Sequence, residues 1–312
     1  MTKYEKHGAL HVNSKGKLVD HLGEVVALHG FSSHGLSWYP EYINRDFIEY
    51  MKDNWAVDII RLAMYTDELD GYCVGDEENK KKLLEVIDRG VKAATEVGIY
   101  VIIDWHILAD SNPLINLEES KKFFDYVSKK YSSYGNVIYE ICNEPNVNCN
   151  WADIKKYAEE IIPIIRKNDE YAVILVGTPT WSQDVDEAVK DPITIDKNLM
   201  YVLHFYADTH RQALRDKFEA AAKAELPLFI SEFGCCDASG AGDNNFDEAA
   251  KWIELADKYD TSFILWSIAN RDETCATFVP DCTKISDFEE EDLKPACKWF
   301  IDVLKQHKVT KE

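Results

Sequence analysis

Eight short apolar runs, separated by amphipathic segments, constrain the fold of this chain more than any other feature of its sequence. The runs are nearly continuous instead of alternating with polar residues, as expected of parallel strands that are covered on both faces. They lie at residues 25–29, 57–64, 100–105, 137–142, 172–176, 200–205, 228–232 and 262–267. Segments with apolar side chains at helical spacing lie at 79–97, 117–131, 151–167, 209–224, 245–259 and 290–306.

Strands that alternate with helices in this number predict an α/β fold, a closed (β/α)8 TIM barrel, more readily than an open doubly wound sheet. No Gly-rich phosphate loop follows the first run, which also disfavours a nucleotide-binding fold. Residues 10–12 and 18–20 flank a polar turn at 13–17, and this pattern predicts an N-terminal β-hairpin that covers the barrel floor. Because no linker, repeat or low-complexity segment is present, we expect residues 1–312 to form one domain.

The charge of the chain narrows the classes of partner. A formal net charge of −21 argues against nucleic acid and against an anionic membrane surface, because both would repel it, whereas a neutral polymer is not repelled. No apolar run reaches the roughly 18 residues of a membrane span. Residues 1–6 are polar and contain no apolar signal region, which leaves two alternatives: a cytosolic protein, or a secreted protein whose signal was removed.

The eight cysteines do not decide between these compartments. None of their spacings forms a paired Cys-x2-Cys zinc framework. Cys275 and Cys282 flank an Asp-containing segment, so a disulfide that closes this loop is one alternative. We expect the adjacent Cys235 and Cys236 to be free thiols, because a bond between neighbours is strained.

Two glutamates end two of the apolar runs and point to chemistry. Glu144 lies in Ile-Cys-Asn-Glu-Pro at 141–145, and Glu232, 88 positions later, lies in Ile-Ser-Glu-Phe-Gly at 230–234. The carboxyl ends of barrel strands share one open face, where active sites of this fold lie. Two carboxylates presented on that face are what acid/base cleavage of a glycosidic bond requires.

Polar and aromatic side chains gather at the predicted carboxyl ends of six strands. Any one of them has a structural explanation, but their coincidence indicates a site. They are Arg61, Tyr65, Asp104, Trp105, His106, Asn143, Glu144, His204, Phe205, Tyr206, Glu232 and Trp266.

Six motifs, in order along nearly the whole chain, resemble glycoside hydrolase family 5, most closely its subfamily 2 endoglucanases. They are Gly-Phe-Ser-Ser-His-Gly-Leu-Ser-Trp-Tyr at 30–39, Arg-Leu-Ala-Met-Tyr at 61–65, Asn-Glu-Pro at 143–145, His-Phe-Tyr at 204–206, Glu-Phe-Gly at 232–234 and Trp-Ser-Ile-Ala-Asn-Arg-Asp-Glu at 266–273. The resemblance implies a retaining double displacement by two glutamates.

The resemblance also implies roles for the residues nearest the reaction. Glu144 is expected to be the general acid and then the general base, with a pKa raised by burial and by its charged partner. Glu232 is expected to be the nucleophile, held ionised by hydrogen bonds from Arg61 and Tyr206. Asn143 resembles the residue that contacts the sugar 2-hydroxyl group.

Most of the remaining predicted site residues are expected, from the resemblance, to contact the sugar. By resemblance, His106 and His204 orient the cleaved sugar, and Trp38, Tyr65 and Trp266 offer flat apolar platforms to sugar rings, with His34 nearby. Glu273 is expected to contact substrate, and Ala238 is placed among the supporting residues. Arg271 stands where the family more usually has lysine, so its contact with substrate is less well supported.

The sequence therefore predicts an extracellular, monomeric endo-β-1,4-glucanase that acts on cellulose or a soluble β-glucan, without metal or cofactor. It contains no His-Glu-x-x-His pattern. Alternatives within the family are a β-mannanase, a lichenase and a xyloglucanase, which share the catalytic pair. From other classes, the alternatives are a non-catalytic carbohydrate-binding barrel and a cytosolic barrel that acts on a phosphorylated metabolite. A phosphorylated metabolite would need a basic phosphate site, and the predicted ends of strands seven and eight offer no cationic cluster except Arg271.

Overall fold

The N-terminal segment closes the end of the barrel at which the strands begin. In the computed structural model, which describes residues 1–311, it consists of α1 (Lys3–His7), β1 (His11–Val12) and β2 (Leu18–Val19). β1 and β2 pair antiparallel, which confirms the predicted N-terminal hairpin. Gly16 in its turn has φ +69°, and a Cβ there would meet the carbonyl group of Glu225. Only glycine fits this left-handed, closely packed position.

Eight parallel strands form a closed barrel, which confirms the predicted (β/α)8 architecture. Each strand pairs with the next one along the chain, and the last pairs with the first. The strands are β3 (His29–Ser33), β4 (Ile59–Tyr65), β5 (Tyr100–His106), β6 (Val137–Glu140), β7 (Ile174–Val176), β8 (Leu199–Tyr206), β9 (Leu228–Gly234) and β10 (Phe263–Ile268).

The first barrel strand lies four residues beyond its predicted position at 25–29. Val25 instead pairs antiparallel with Val19, and the Val26 N–H group donates to the carbonyl of Leu18, so this run belongs to the barrel floor. β3 itself contains two buried serines, and the Ser33 hydroxyl oxygen accepts a hydrogen bond from the Ala63 N–H group at 2.9 Å. Hydropathy does not reveal this strand because its polar atoms are satisfied inside the barrel.

The helices cover the outside of the barrel. They are α2 (Arg45–Trp55), α3 (Glu77–Val97), α4 (Leu117–Tyr131), α5 (Trp151–Asn168), α6 (Pro179–Ser182), α7 (Val185–Lys190), α8 (Gln212–Lys223), α9 (Phe246–Lys258) and α10 (Pro295–Lys311). α2, α6 and α7 are absent from the segments predicted above. The segment predicted at 290–306 divides into a 3-10 turn at 290–292 and α10, because proline favours the first turn of a helix.

Side chains alternate between the barrel interior and the helix layer along each strand, and the interior changes character from one end to the other. At the strand starts it is an apolar layer that includes Leu10 and Leu18 of the hairpin. Toward the strand ends it is polar. The inward residues, from strand start to strand end, are Ile59, Arg61, Ala63 and Tyr65 in β4, Tyr100, Ile102, Asp104 and His106 in β5, and Met200, Val202, His204 and Tyr206 in β8.

The outward residues pack under the helices in a second, larger core. Trp105 and Phe205, which the sequence placed among the strand-end groups, belong to this core: Trp105 packs on Phe123, and Phe205 stacks on Trp252 with ring centroids 4.2 Å apart. They are therefore structural and lie outside the site.

All eight cysteines are free in the structure. Cys275 and Cys282 are not bonded to each other, because Cys275 packs with Cys236 and Trp266 at the strand ends whereas Cys282 lies in the outer core. Among residues 1–311, none of the helices combines the length and apolar character needed to cross a bilayer.

Candidate active site

The two glutamates predicted to be catalytic meet at the carboxyl end of the barrel. Glu144 follows β6, and Glu232 lies near the end of β9. They are 8% and 4% exposed. One oxygen of each carboxyl group and one nitrogen of His204 all lie within 4.8 Å of one another. Strands that are separate in the sequence thus bring both carboxyl groups to one buried point.

Glu232 is held by two donors. Arg61 Nη1 donates to Oε2 at 3.2 Å, and the Tyr206 hydroxyl group donates to Oε1 at 2.8 Å. These are the two contacts expected from the sequence. Burial and the nearby Glu144 charge raise the pKa of Glu232 to about 7, while His204, Arg61 and Tyr206 oppose the rise.

The surroundings of Glu144 stabilise its ionised form less than those of Glu232 do. Burial raises its pKa to about 8; Arg61 opposes this rise, and Asp104 and Glu140 add to it. Its Oε1 atom lies 2.9 Å from His204 Nδ1, and burial lowers the pKa of His204 to about 4. The hydrogen bonds distinguish the two acids, because Glu232 accepts from a cation and a hydroxyl group that stabilise its ionised form, whereas Glu144 lies against a neutral histidine.

Arg61, which is fully buried, organises the layer beneath the two glutamates. Besides Glu232 it contacts two further carboxyl groups: its Nε and Nη2 atoms donate to Glu140 at 2.8 and 3.1 Å, and Nη2 lies 3.0 Å from Asp104 Oδ2. Nη2 also donates to Asn143 Oδ1 at 2.6 Å. One guanidinium group thus positions side chains from β5, β6 and β9, and a planar fork suits this role better than a point charge.

His106 is oriented by the same layer. Its Nδ1 lies 2.6 Å from Asp104 Oδ2, and its Nε2 lies 3.3 Å from Asn143 Nδ2. Because the carboxylate accepts from Nδ1–H, Nε2 accepts from the Asn143 amide. Burial lowers the pKa of His106 well below its ordinary value and raises that of Asp104 to about 7. Asn143 is fully buried, and its contact with a sugar 2-hydroxyl group stays a prediction.

A bulge in β9 turns two consecutive side chains toward the interior. Between Phe229 and Glu232, β9 has one residue more than its neighbour β8 between the paired Val202 and His204. The Ser231 hydroxyl donates to Glu140 Oε1 at 2.8 Å, and Glu232 meets Arg61, so both face the barrel interior. Adjacent residues of a regular strand would point to opposite faces.

Above this layer lies a cleft of about 740 Å³. Aromatic side chains form one wall: the rings of Trp38 and Tyr65 lie 4.8 Å apart, those of His34 and Trp266 5.0 Å apart. Of the fourteen predicted site residues, Arg61 and Asn143 lie beneath the cleft, and the others line it. They are His34, Trp38, Tyr65, His106, Glu144, His204, Tyr206, Glu232, Ala238, Trp266, Arg271 and Glu273.

Arg271 and Glu273 form an ion pair at the rim of this wall. Arg271 Nε lies 2.7 Å from Glu273 Oε1, and the two side chains are 48% and 24% exposed. The arginine therefore orients the glutamate in a way that a lysine point charge would not. Ala238 lies in the loop after β9, where its N–H group donates to the Thr209 hydroxyl at 2.9 Å.

Sequence reasoning missed several residues of the site. The sequence patterns indicate no role for Asp104, and they do not reveal that Glu140 and Ser231 belong to the buried layer. Trp181 lines the cleft from the short α6, which follows β7, and is 39% exposed. The signal for Trp181 was a tryptophan soon after a strand end; for Glu140 it was an acid inside an otherwise apolar run.

Volume and ligand-type atoms do not by themselves identify the chemistry. A cavity of about 990 Å³ lies at the opposite end of the barrel and is lined by residues such as Lys3, Asp58 and His307. Among residues 1–311, three groups bring ligand-type atoms close enough to consider an ion: His29 with Asp257 and His307, His7 with Asp20 and Glu24, and Glu144 with His204 and Glu232. Hydrogen bonds account for the third group, and the expected absence of metal stays a prediction.

Comparison with known proteins identifies the family. The family described as "Cellulase (glycosyl hydrolase family 5)" matches residues 19–272. The chain is 46% identical to endoglucanase A of Butyrivibrio fibrisolvens over 98% of its own length and 71% of that protein. It is 43% identical to an endoglucanase of Clostridium saccharobutylicum over 89% of its length and 61% of that protein. The chain thus spans only part of each of these relatives.

Solved structures agree with this match. The catalytic domain of Thermobifida fusca endoglucanase Cel5A superposes with a TM-score of 0.91 at 35% identity, covering 98% of this chain and 100% of that one. Another structure of that domain, at 34% identity with the same TM-score and coverage, is a complex with cellotetraose. The chain therefore belongs to glycosyl hydrolase family 5, the cellulase family.

Proposed function

We propose that the protein is an endo-β-1,4-glucanase that hydrolyses internal bonds of a β-glucan with retention of configuration. The observation that carries the proposal is the meeting of Glu144 and Glu232 within 4.8 Å in a buried site. Retaining glycosidases hold their two carboxyl groups about 5–5.5 Å apart, whereas inverting ones leave about 6.5–9.5 Å for a water molecule. The endoglucanase names of its relatives support the same activity.

In the first step, Glu232 attacks the anomeric carbon while Glu144 protonates the departing glycosidic oxygen. The hydrogen bonds from Arg61 and Tyr206 stabilise Glu232 as the carboxylate that this attack needs. The raised pKa of Glu144 keeps its proton available near neutral pH. The products are a glycosyl ester on Glu232 and a chain fragment with a free hydroxyl group.

In the second step, Glu144 acts as a base. Formation of the ester removes the negative charge of Glu232 beside Glu144, so the ionised form of Glu144 is repelled less than it is in the free enzyme. It takes a proton from water as the water oxygen attacks the anomeric carbon, and the Glu232 carboxylate leaves. The second inversion restores the original configuration.

The cleft supports binding on both sides of the scissile bond. Trp38 follows β3 and Trp181 follows β7, and these strands lie opposite each other in the eight-stranded barrel. A glucan chain that contacts both side chains passes over the two glutamates between them. This arrangement favours cuts within a chain over removal of a terminal sugar.

The closest alternatives share the same two glutamates. A β-mannanase, a lichenase or a xyloglucanase would differ in cleft residues, and the cellotetraose complex of the Thermobifida fusca domain favours a glucan of β-1,4 linkage. A non-catalytic binding barrel is disfavoured because both carboxyl groups and their donors are present. A phosphorylated metabolite would meet two buried acids beside only one rim cation, Arg271.

The test is hydrolysis by the wild type and two variants. Reducing ends and viscosity are measured on carboxymethyl cellulose, mannan, lichenan and xyloglucan. We expect the wild type to lower the viscosity of carboxymethyl cellulose early, and Glu144→Gln to lose about 10²–10⁴-fold of this activity. Glu232→Ala is expected to lose at least as much. A wild type inactive on all four polymers would overturn the proposal, and an undiminished Glu232→Ala would remove that residue as nucleophile.

We further propose that the protein acts outside the cell, as a monomer, with residues 1–312 forming one catalytic domain of the subfamily 2 type. A polymeric glucan does not enter a cell, and both catalytic groups come from the same chain. Fractionation of the source culture and sedimentation of the purified protein test these points. Activity confined to the cytosol, or a stable dimer, would contradict them.

A further inference from the structure

A line of buried hydrogen bonds connects Arg61 to Glu144 by a route that does not pass through Glu232. Arg61 donates to both oxygens of Glu140, at 2.8 and 3.1 Å. The Ser231 hydroxyl lies 2.8 Å from Glu140 Oε1 and 3.0 Å from His204 Nε2. His204 Nδ1 lies 2.9 Å from Glu144 Oε1. Glu140 and Ser231 are wholly buried, and neither lines the cleft.

The direction of each bond follows from the Glu140 end. Burial raises the pKa of Glu140, but a guanidinium fork donates to both of its oxygens and holds it as a carboxylate, so it can only accept. Ser231 has one hydroxyl proton, and it donates that proton to Glu140. The Ser231 oxygen must then accept from His204, which places a proton on Nε2.

A neutral histidine carries only one N–H group, so this arrangement leaves a lone pair on Nδ1. His204 is neutral because burial lowers its pKa to about 4. The Nδ1 lone pair faces Glu144 Oε1, and two lone pairs at 2.9 Å would repel each other. The carboxyl group therefore supplies the proton between them.

We propose that Glu140 and Ser231 are positioning residues for Glu144: they fix the tautomer of His204, and His204 in turn stabilises the protonated carboxyl group of Glu144. This inference rests on the proposed function, in which Glu144 is the general acid. No proton passes along the line during turnover. Glu144 gives its proton to the departing oxygen and later regains one from water, while Ser231 and His204 keep theirs.

The other histidine of the site shows the opposite arrangement and acts as an internal comparison. Asp104 meets His106 directly, at Nδ1, so the remaining lone pair lies on Nε2. Glu140 meets His204 through an inserted hydroxyl, at Nε2, so the lone pair lies on Nδ1. Two buried carboxylates on one arginine thus select different tautomers for two histidines.

Other charged groups also act on Glu144 and His204 and stay in place when Ser231 is changed. They come from five strands and the loop after β8, and they include the nucleophile and both tyrosines of the site. They are Arg61 and Tyr65 of β4, Asp104 of β5, Glu140 of β6, Tyr206 of β8, Glu232 of β9 and His210 after β8. A shift that follows loss of the Ser231 hydroxyl therefore reports on the hydrogen-bonded line.

The first experiment compares the pH dependence of kcat/KM for the wild type and Ser231→Ala on a soluble cellulosic substrate. Without the hydroxyl, His204 can carry its proton on Nδ1 and donate it to the Glu144 carboxylate, which favours the ionised form. We expect the basic limb of the profile to move about one unit to lower pH. Ser231→Thr retains a hydroxyl and is expected to restore the wild-type limb.

Ser262→Ala is the matched control. Ser262 is also buried, and its hydroxyl oxygen accepts a hydrogen bond from the Leu28 N–H group at 2.9 Å, but it lies just before the start of β10. It should lose stability as Ser231→Ala does and keep the wild-type pH profile. An unchanged basic limb in folded Ser231→Ala would overturn the proposal.

The second experiment is independent of turnover. Nitrogen-15 NMR of the histidine rings in the wild-type protein near pH 6.5 should show His204 protonated at Nε2 and His106 protonated at Nδ1. In Glu140→Gln the amide can donate to Ser231, and His204 is expected to change to the Nδ1–H form. A wild-type His204 protonated at Nδ1 would overturn the inference, whereas failure to hydrolyse any glucan would overturn only the proposed function.

Discussion

The two halves of the barrel interior are built by the same strands and do different work. At the strand starts, inward residues such as Ile59, Ile102 and Val202 form an apolar layer with the N-terminal hairpin. Two residues further along β4 and β5, the interior holds Arg61 and Asp104. The lower layer gains free energy by removing apolar surface from water, whereas the upper layer buries charges that are costly unless every one is paired.

Because of this difference, we expect the stability of the barrel to depend on its lower half and its activity to depend on its upper half. Changes in the lower half should alter the free energy of unfolding and leave catalysis intact. Changes in the upper half should alter catalysis. Some of them should also increase the free energy of unfolding, because a site that buries ionisable groups for catalysis lowers the stability of the folded protein. Four substitutions test this separation, with Arg61→Met the most severe and Trp181→Ala the mildest.

Arg61→Met should break both properties at once. It leaves the carboxyl groups of Asp104, Glu140 and Glu232 buried without their cation. We expect a loss of about 3–5 kcal/mol in the free energy of unfolding, measured by urea denaturation, together with loss of activity. Arg45→Met is the matched control, since Arg45 is half exposed and pairs with Glu49 on the surface. It should cost less than about 1 kcal/mol. Equal losses in the two variants would contradict this account.

Ile102→Ala should affect stability alone. Ile102 is fully buried in the lower layer, and truncation leaves a cavity that the barrel cannot close. The expected cost is about 2–5 kcal/mol in urea denaturation. At temperatures where the variant stays folded, kcat/KM on soluble glucan should match the wild type. A tenfold fall in kcat/KM would show that the two halves are coupled.

Glu144→Gln should gain stability in a pH-dependent way. The folded-state pKa of Glu144, about 8, lies above its ordinary value of 4.5, so its contribution to stability is present below pH 4.5 and is lost as pH rises through 8. Glutamine does not titrate and can still donate to His204. We expect equal melting temperatures for variant and wild type near pH 4 and a variant advantage of a few degrees at pH 8.5. Parallel melting curves at both pH values would contradict the raised pKa.

Trp181→Ala should have the smallest effect of the four substitutions, and it should weaken only the binding of substrate. The side chain is partly exposed on the cleft wall, so its removal leaves the barrel core unchanged. Loss of the apolar contact with a sugar ring should lower kcat/KM about tenfold, through KM. Tyr171→Ala removes an exposed aromatic side chain that does not line the cleft and serves as the control. A Trp181→Ala variant with unchanged KM would exclude this wall from substrate binding.

Most of the barrel could be predicted because strands and helices leave local periodic signals. The runs at 100–105 and 228–232 match β5 and β9 closely, and the segment at 117–131 matches α4. The position of β3 was predicted wrongly because the strand contains polar serines. The hydrogen bond between Ser33 and the Ala63 N–H group, which satisfies one of them, forms only in the closed barrel. The roles of Glu140 and Ser231 were missed for a related reason, since their partners lie on strands that are distant in sequence.

Local sequence patterns were sufficient to predict that two glutamates end two strands of one barrel and therefore share its carboxyl face. The resemblance to glycoside hydrolase family 5 supplied most of the aromatic and basic side chains that accompany them, but not Trp181. The difference between the two acids arises from contacts that form only in the folded barrel. The bulge in β9 turns Ser231 inward beside Glu232, and barrel closure brings Arg61 against Glu232 and His204 against Glu144. Burial and hydrogen-bond direction, which set pKa values, depend on these contacts between strands far apart in the chain.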